Sequence, residues 1–319
     1  MKKKAGIFCF ALLMSLFALY PVTGIGQAAD NIGDNRSYGV SVMTMNNPFF
    51  VREVDGVREA VKDDKGSEVL APDPANDIMT QISQISEFIA KKVDVIIVDP
   101  IDSDGIKPSL VEAERAGIPV INIDSVVVDT DLILAMIVSD NMDAGVQSAR
   151  VLCNAIGGKG EIAIVNWSAL GAVRARTDGL QKVLKEEFPE VTIVSDQDAY
   201  GKVEDAQNIT DTFMQAYPNL KGIFAINDPT AQGVVAAIQG ANRTGQIMVV
   251  SVDGSQNAIE MIRDGQLLCS PMQQPIEIGK MAVKLAKQHW AGEKVEKDNV
   301  ISVVNITTEN FQEYDHKTY

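Results

Sequence analysis

Seven planar hydrogen-bonding groups, Asn47, Asp99, Asp124, Asn166, Asn227, Asp228 and Asp253, each close a run of apolar residues. Arg176 stands near the start of the helix-like segment that follows Asn166. Carboxylates accept hydroxyl protons, amides both donate and accept, and a guanidinium donates in a fixed fork. In Asn46-Asn47-Pro48-Phe49-Phe50, two amides and a rigid proline are joined to two aromatic rings. A flat ring suits the C–H face of a sugar, so this inventory fits a polyhydroxylated ligand in a site with a few placed polar groups. Bond-breaking chemistry has less to work with. The two histidines, His289 and His316, lie on a late helix and in the C-terminal tail, away from the strand ends, which removes the commonest general base and metal ligand. No Gly-x-Ser-x-Gly elbow occurs. Gly157-Gly158-Lys159-Gly160 follows a helix and precedes a strand, the reverse of a phosphate cradle, and reads as a turn. Paired acids among Asp99, Asp124 and Asp253 keep a glycosidase as the alternative, although acids at strand ends also cap helices.

These groups are positioned by a regular alternation. Apolar runs at 38–43, 68–71, 93–99 and 119–124 are separated by amphipathic segments at about 49–64, 75–91 and 103–116. Runs as continuously apolar as Val95-Ile96-Ile97-Val98 are buried on both faces, as in a parallel sheet. Asp102 or Ser103 is expected to cap the third helix, and Gly117 with Pro119 to close it. The pattern then restarts, with strands at 161–166, 191–195, 222–227 and 247–253 and helices near 141–156, 173–187, 203–216, 229–241 and 255–264. Both halves place a polar residue followed closely by proline at a strand end, Asp99-Pro100 and Asn227-Asp228-Pro229. Such βαβ series form doubly wound layers whose ligands bind outside the carboxyl ends of the strands. A further helix at 275–291 and a strand at 300–306 have no counterpart in a simple tandem and read as a return to the first lobe, giving about three crossings.

Residues 1–28 have the pattern of an export leader: Lys2, Lys3 and Lys4, an apolar stretch at 7–20, and small residues before a cleavage point after Ala28 or Ala29. Cys9 lies too early in that stretch to be a lipid-attachment cysteine, and no later run reaches membrane-spanning length. A periplasmic protein is therefore expected. Without the leader's three lysines the net charge moves from −15 to −18, which disfavours nucleic acid as a partner. About 290 remaining residues exceed the usual single core, so two domains are expected. Cys153 and Cys269 are expected as separate buried thiols, and no residue spacing matches a metal site.

Taken in order, Asn46-Asn47-Pro48-Phe49-Phe50, Asp99-Pro100-x-Asp102-Ser103-Asp104, Ile118-Pro119-Val120-Ile121-Asn122-Ile123-Asp124, Ser139-Asp140-Asn141, Arg174-x-Arg176-x-x-Gly179, Asn227-Asp228, Val252-Asp253-Gly254 and Gln273 resemble the ribose-binding protein branch of periplasmic sugar-binding proteins. The resemblance spans nearly the whole chain after the leader. It implies an α/β fold of two Rossmann-like lobes with parallel sheets and a three-crossing hinge, here 30–138 with 273–302 and 139–272 with 303–319. It implies ligand contacts from Asn47, Phe49, Phe50, Asp99, Asp124 and Ser125 in the first lobe, from Trp167, Arg176, Tyr200, Asn227 and Asp253 in the second, and from Gln273 near a crossing. It further implies a monomer that takes up a monosaccharide or polyol without chemistry, cofactor or metal. Its partner would be an ABC permease in the inner membrane, with a chemoreceptor as a further one. Ser125 stands where the family commonly has arginine, and Val252 where it commonly has phenylalanine. With that fork of donors and that ring face gone, another pentose, a hexose or an acyclic polyol is admitted as readily as ribose. Reception of a sugar-like signal is a second use of the same fold. A DNA-binding regulator is disfavoured by the leader and the lack of a DNA-binding head.

Overall fold

Asn47 opens the first helix by accepting a hydrogen bond from the Phe49 amide at 3.0 Å, with Pro48 in the first turn. The computed structural model describes residues 31–314, and the leader, its cleavage point, Cys9 and His316 lie outside them.

The chain runs β1 (Ser37–Ser41), α1 (Pro48–Val61), β2 (Glu68–Leu70), α2 (Ile78–Lys91), β3 (Val95–Val98), α3 (Lys107–Ala116), β4 (Val120–Ile123), β5 (Ala135–Ser139), α4 (Asn141–Ala155), β6 (Lys159–Asn166), α5 (Gly171–Glu186) and β7 (Glu190–Asp198). It continues α6 (Val203–Ala216), β8 (Leu220–Ala225), α7 (Asp228–Gly240), β9 (Met248–Val250), α8 (Gln256–Arg263), β10 (Cys269–Met272), α9 (Pro275–Trp290), β11 (Asp298–Ile301) and β12 (Val304–Thr307). Two parallel sheets result, ordered β11-β5-β4-β3-β1-β2 and β7-β6-β8-β9, with β10 and β12 forming a separate antiparallel pair. Every residue of β3 and β4 is buried, as expected for strands covered on both faces.

Two expectations need correction, and two strands were missed. The run at 300–306 is not one strand but two. β11 pairs with β5 in the first sheet, whereas β12 turns to pair with β10. The chain therefore passes between lobes at 139–141, 272–275 and 301–304, three crossings in all. β5 and β10 were not legible as strands. The first runs straight into the Asp140 cap of α4, and the second contains Pro271, which lacks a ladder donor. Finally, Asp102 does not cap α3. Its carboxylate closes a local turn by accepting from the amides of Asp104 and Gly105, and α3 begins only at Lys107, beside Pro108. Gly117 does close α3, at φ 71°, and Gly157 and Gly158 form the expected turn at φ 76° and 72°.

Cys153 and Cys269 are free and buried in one apolar cluster of the second lobe. Among the described residues no helix is long and apolar enough to cross a membrane.

Each lobe brings two helices into backbone contact through facing glycines. A β-carbon on Gly56 would lie 2.2 Å from the Ile276 carbonyl oxygen, and one on Gly145 would lie 2.0 Å from that of Arg176. Gly145→Val is therefore expected to force α4 and α5 apart and to cost about 1–3 kcal/mol. That appears as a melting midpoint several degrees lower, together with weaker ligand binding because α5 carries Arg176. An unchanged midpoint would show that the helices separate without penalty.

Candidate functional site

A cavity of about 600 Å³ opens between the two sheets at the carboxyl ends of their strands, within the size range of small-molecule sites. Helices α1, α5 and α7 begin at its edge. Ten of the twelve residues expected at the site line it: Asn47, Phe49, Phe50, Asp124, Ser125, Trp167, Arg176, Asn227, Asp253 and Gln273.

The two asparagines play matching parts. Asn47 Oδ1 accepts from the Phe49 amide, and Asn227 Oδ1 accepts from the amide and hydroxyl of Thr230 at 3.0 and 2.6 Å. Capping engages both oxygens, and each side chain also carries an amide NH₂ able to donate in the cavity that the residue lines. Phe49 and Phe50 meet edge to face, with centroids 5.4 Å apart and planes at 83°. Perpendicular rings cannot both lie flat on one face of a ligand. Phe49 is embedded in the first-lobe core, and Phe50 is the more accessible ring. Across the cavity Trp167 packs over Gly201, whose missing β-carbon would sit 3.2 Å from the indole.

Arg176 is buried and fully directed. Its Nε donates to Asn141 Oδ1 at 2.8 Å, and one terminal nitrogen donates to the Ile226 carbonyl at 2.7 Å and lies 3.5 Å from Asp253 Oδ1. Asp253 also accepts from Gln273 Nε2 at 2.8 Å and from the Asp228 amide at 3.4 Å. Burial pushes the Asp253 carboxyl up to about 7, Arg176 pulls it down, and Asp228 beside it pushes it further up. Asp228 is itself fully buried, holding the hydroxyls of Ser251 and Ser270 and the Ser255 amide. It braces the loop that carries Asp253.

On the first-lobe side Asp124 is pushed up to about 6, burial again being the main cause and Arg176 opposing it. Its Oδ1 is buried without a hydrogen-bond partner, as is Gln273 Oε1. Both main carboxylates sit on left-handed backbone, Asp124 at φ 53° and Asp253 at φ 131°. Strained conformers of this kind gather at ligand clamps. The loop around Asp124 is held by Asn122. Its Nδ2 donates to the carbonyls of Val98, Ile123 and Ser125, and its Oδ1 accepts from the Val127 amide.

Two expected residues are placed elsewhere. Asp99 is fully buried behind Ser125, whose amide donates to its Oδ1 at 3.2 Å, and it does not reach the cavity. Tyr200 is 51% exposed and does not line the cavity, where its neighbours Gly201 and Lys202 stand instead, on a turn with left-handed backbone at Tyr200 and Gly201. Sequence reasoning missed Asn141, the partner of Arg176. It also missed Asn76, whose amide donates to the Met43 carbonyl and folds the loop after β2 over the end of β1. Asn141 could have been found from its place directly after the Asp140 cap. Among the described residues no cluster of His, Cys, Asp and Glu could hold a metal.

Known proteins share this fold. The chain is 29% identical to the ribose import binding protein of Bacillus subtilis over 270 residues, covering 84% of this chain and 86% of that one. It is 27% identical to a xylitol-binding protein of Mycolicibacterium smegmatis, covering 90% and 81%. The structure superposes at a TM-score of 0.81 on an ABC transporter periplasmic solute-binding protein from Actinobacillus succinogenes with bound D-allose, 29% identical and covering 88% of this chain and all of that one. Residues 38–294 match the periplasmic binding protein domain, and the chain belongs to that family.

Proposed function

We propose that this protein captures a monosaccharide or polyol in the interlobe cleft and delivers it, chemically unchanged, to an ABC permease in the inner membrane. One observation carries the reading. Donors and acceptors from both lobes converge on one cavity between an accessible phenylalanine and a tryptophan. Asn47, Asn227 and Arg176 bring donors to its lining, and Asp124, Asp253 and Gln273 bring acceptors. A hydroxyl is both donor and acceptor, so a ligand rich in hydroxyls satisfies both sets at once. Three backbone crossings between the lobes suit hinge closure around it, and the closed form is what the permease would read. The relatives that bind ribose, xylitol and D-allose support this ligand class. In this reading residues 1–28 direct export to the periplasm. The lobes are 30–138 with 273–302 and 139–272 with 303–319, and the protein acts as a monomer.

A thermal-shift screen of sugars and polyols tests the function. Ligand at 100 times its dissociation constant adds about 2.7 kcal/mol, a rise of several degrees. Small-angle scattering with the best ligand is then expected to show a smaller radius of gyration. Hits that leave the radius unchanged would count against closure, and a screen without hits would count against the ligand class.

A further inference from the structure

Asn141 and Gln274 stand on crossings between the lobes, and neither lines the cavity. Both nevertheless belong to a ring of contacts that includes the ligand-site pair Arg176 and Asp253. Asn141, at the first crossing, is buried. Its Nδ2 donates to the Ser139 carbonyl at 3.2 Å, and its Oδ1 accepts from Arg176 Nε at 2.8 Å. Arg176 in turn faces Asp253 at 3.5 Å. Asp253 is tied to the second crossing by backbone and side chain alike. Its amide donates to the Pro271 carbonyl at 3.0 Å, and its carbonyl accepts from the Gln273 amide at 2.9 Å. Its carboxylate accepts from Gln273 Nε2 at 2.8 Å. The next residue, Gln274, donates from Nε2 to the Ser302 carbonyl of the third crossing at 2.7 Å. The Asp140 amide closes the ring between the first and third crossings by donating to the Ile301 carbonyl at 2.9 Å.

Each end of the pair is thus held by a different crossing. Arg176 takes its aim from the first and Asp253 from the second. Asp253 has φ 131°, a conformation that persists only where its surroundings over-determine it. A small apolar cluster of Ala144, Val252 and Val303 joins α4, the residue before Asp253 and the third crossing. A guanidinium presents its donors in a fixed fork, so a change of aim costs it paired hydrogen bonds. A crossing that shifts turns one end of the pair against the other. Opening the ring therefore lowers the fraction of protein whose site is ready, and the apparent affinity falls by that fraction.

We propose that Asn141 and Gln274 are positioning residues for ligand capture: without touching the ligand, they set its affinity by holding Arg176 and Asp253 in register through the hinge. This rests on the sugar-and-polyol reading and adds to it the control of the cleft from outside its lining.

D-ribose, D-allose and xylitol serve as probes in calorimetry, and the tightest of them is carried through the variants. Gln274→Ala removes one hydrogen bond outside the cavity. It is expected to weaken binding at least threefold and to leave the melting midpoint of the ligand-free protein unchanged. Asn141→Ala is expected to weaken binding at least tenfold. Asn141→Asp returns an acceptor to Arg176 Nε and should recover most of that loss. Gln274→Ala decides the matter if Asn141→Ala does not fold. Parent-like affinity in either folded variant overturns the proposal, since a structural role alone moves the midpoint and not the affinity. So does a loss of affinity in Gln274→Ala that comes only with a lower midpoint. An Asn141→Asp protein as weak as Asn141→Ala overturns the route through Arg176. Any of these results leaves the sugar-and-polyol reading standing if the parent protein binds a probe. A parent protein that binds none of the three overturns both.

Discussion

Arg176→Met loses ligand binding by roughly two to three orders of magnitude, because this one guanidinium ties the second-lobe wall together. It faces Asp253 at 3.5 Å and holds Asn141 and the Ile226 carbonyl, all in a buried setting. Methionine matches its length and apolar stem and supplies none of the donors. Truncating one partner of a buried, hydrogen-bonded charge pair in a binding site costs about 2–5 kcal/mol of affinity, much of it from the charge left unpaired, and the middle of that range is the relevant one here. At about 1.4 kcal/mol per decade this sets the stated loss of affinity. The Asp253 carboxyl, relieved of Arg176 but still beside Asp228, should also titrate higher than in the parent protein. Calorimetry with the best ligand from the screen reads the first effect, and the pH dependence of binding reads the second. Parent-like affinity in a folded Arg176→Met protein would remove the guanidinium from the site. Asp253→Ala is expected to produce a similar loss, and the double variant far less than the sum, because the residues share one network.

The melting midpoint of the ligand-free protein should fall as pH rises from about 5 to about 8. In the unfolded chain these carboxyls titrate near ~4. In the folded protein burial raises Asp124 to about 6 and Asp253 to about 7, and it raises Glu53 and Asp99 as well. Between those values the folded state binds more protons than the unfolded one, so stability decreases with pH. The contribution is complete below the unfolded value and is lost as pH passes through the folded values. Shifts of two to three units on buried groups amount to a few kcal/mol, on the order of 1.4 per unit. Glu53→Leu replaces an unpartnered buried carboxyl with an apolar side chain of similar size. It is expected to raise the midpoint by several degrees at pH 8 and to flatten the slope. A midpoint constant from pH 5 to 8 in the parent would show these carboxyls to be ionised in the fold. It would leave the Arg176 prediction untouched.

Glu53 marks where the sequence could have said more. It falls four residues after Phe49 and next to Val54, on a helix whose inward face also includes Val57 and Val61. A charged residue inside an apolar stripe is visible from helical periodicity alone. Asp99 shows the opposite limit. It stands at a strand end like Asp124, but the loop at Ser125 folds across it and only Asp124 reaches the cavity. No spacing distinguishes the two.

By itself, the sequence determined the alternation of strands and helices, because continuous apolar runs such as Val95–Val98 and helix ends such as Gly117 are local properties. It also determined which polar residues end those strands, and so most of the candidate wall. The tertiary structure decided which of these residues meet. Arg176 finds Asn141 and Asp253 across long stretches of chain, and the run at 300–306 divides between two partners. It also decided that Asn47 and Asn227 cap their helices at the rim of one cavity and that Glu53 and Asp99 are fully buried beneath its first-lobe side. The reason is physical. A side chain's face follows from its own segment, whereas its partner and its desolvation depend on segments brought beside it only when the chain has folded.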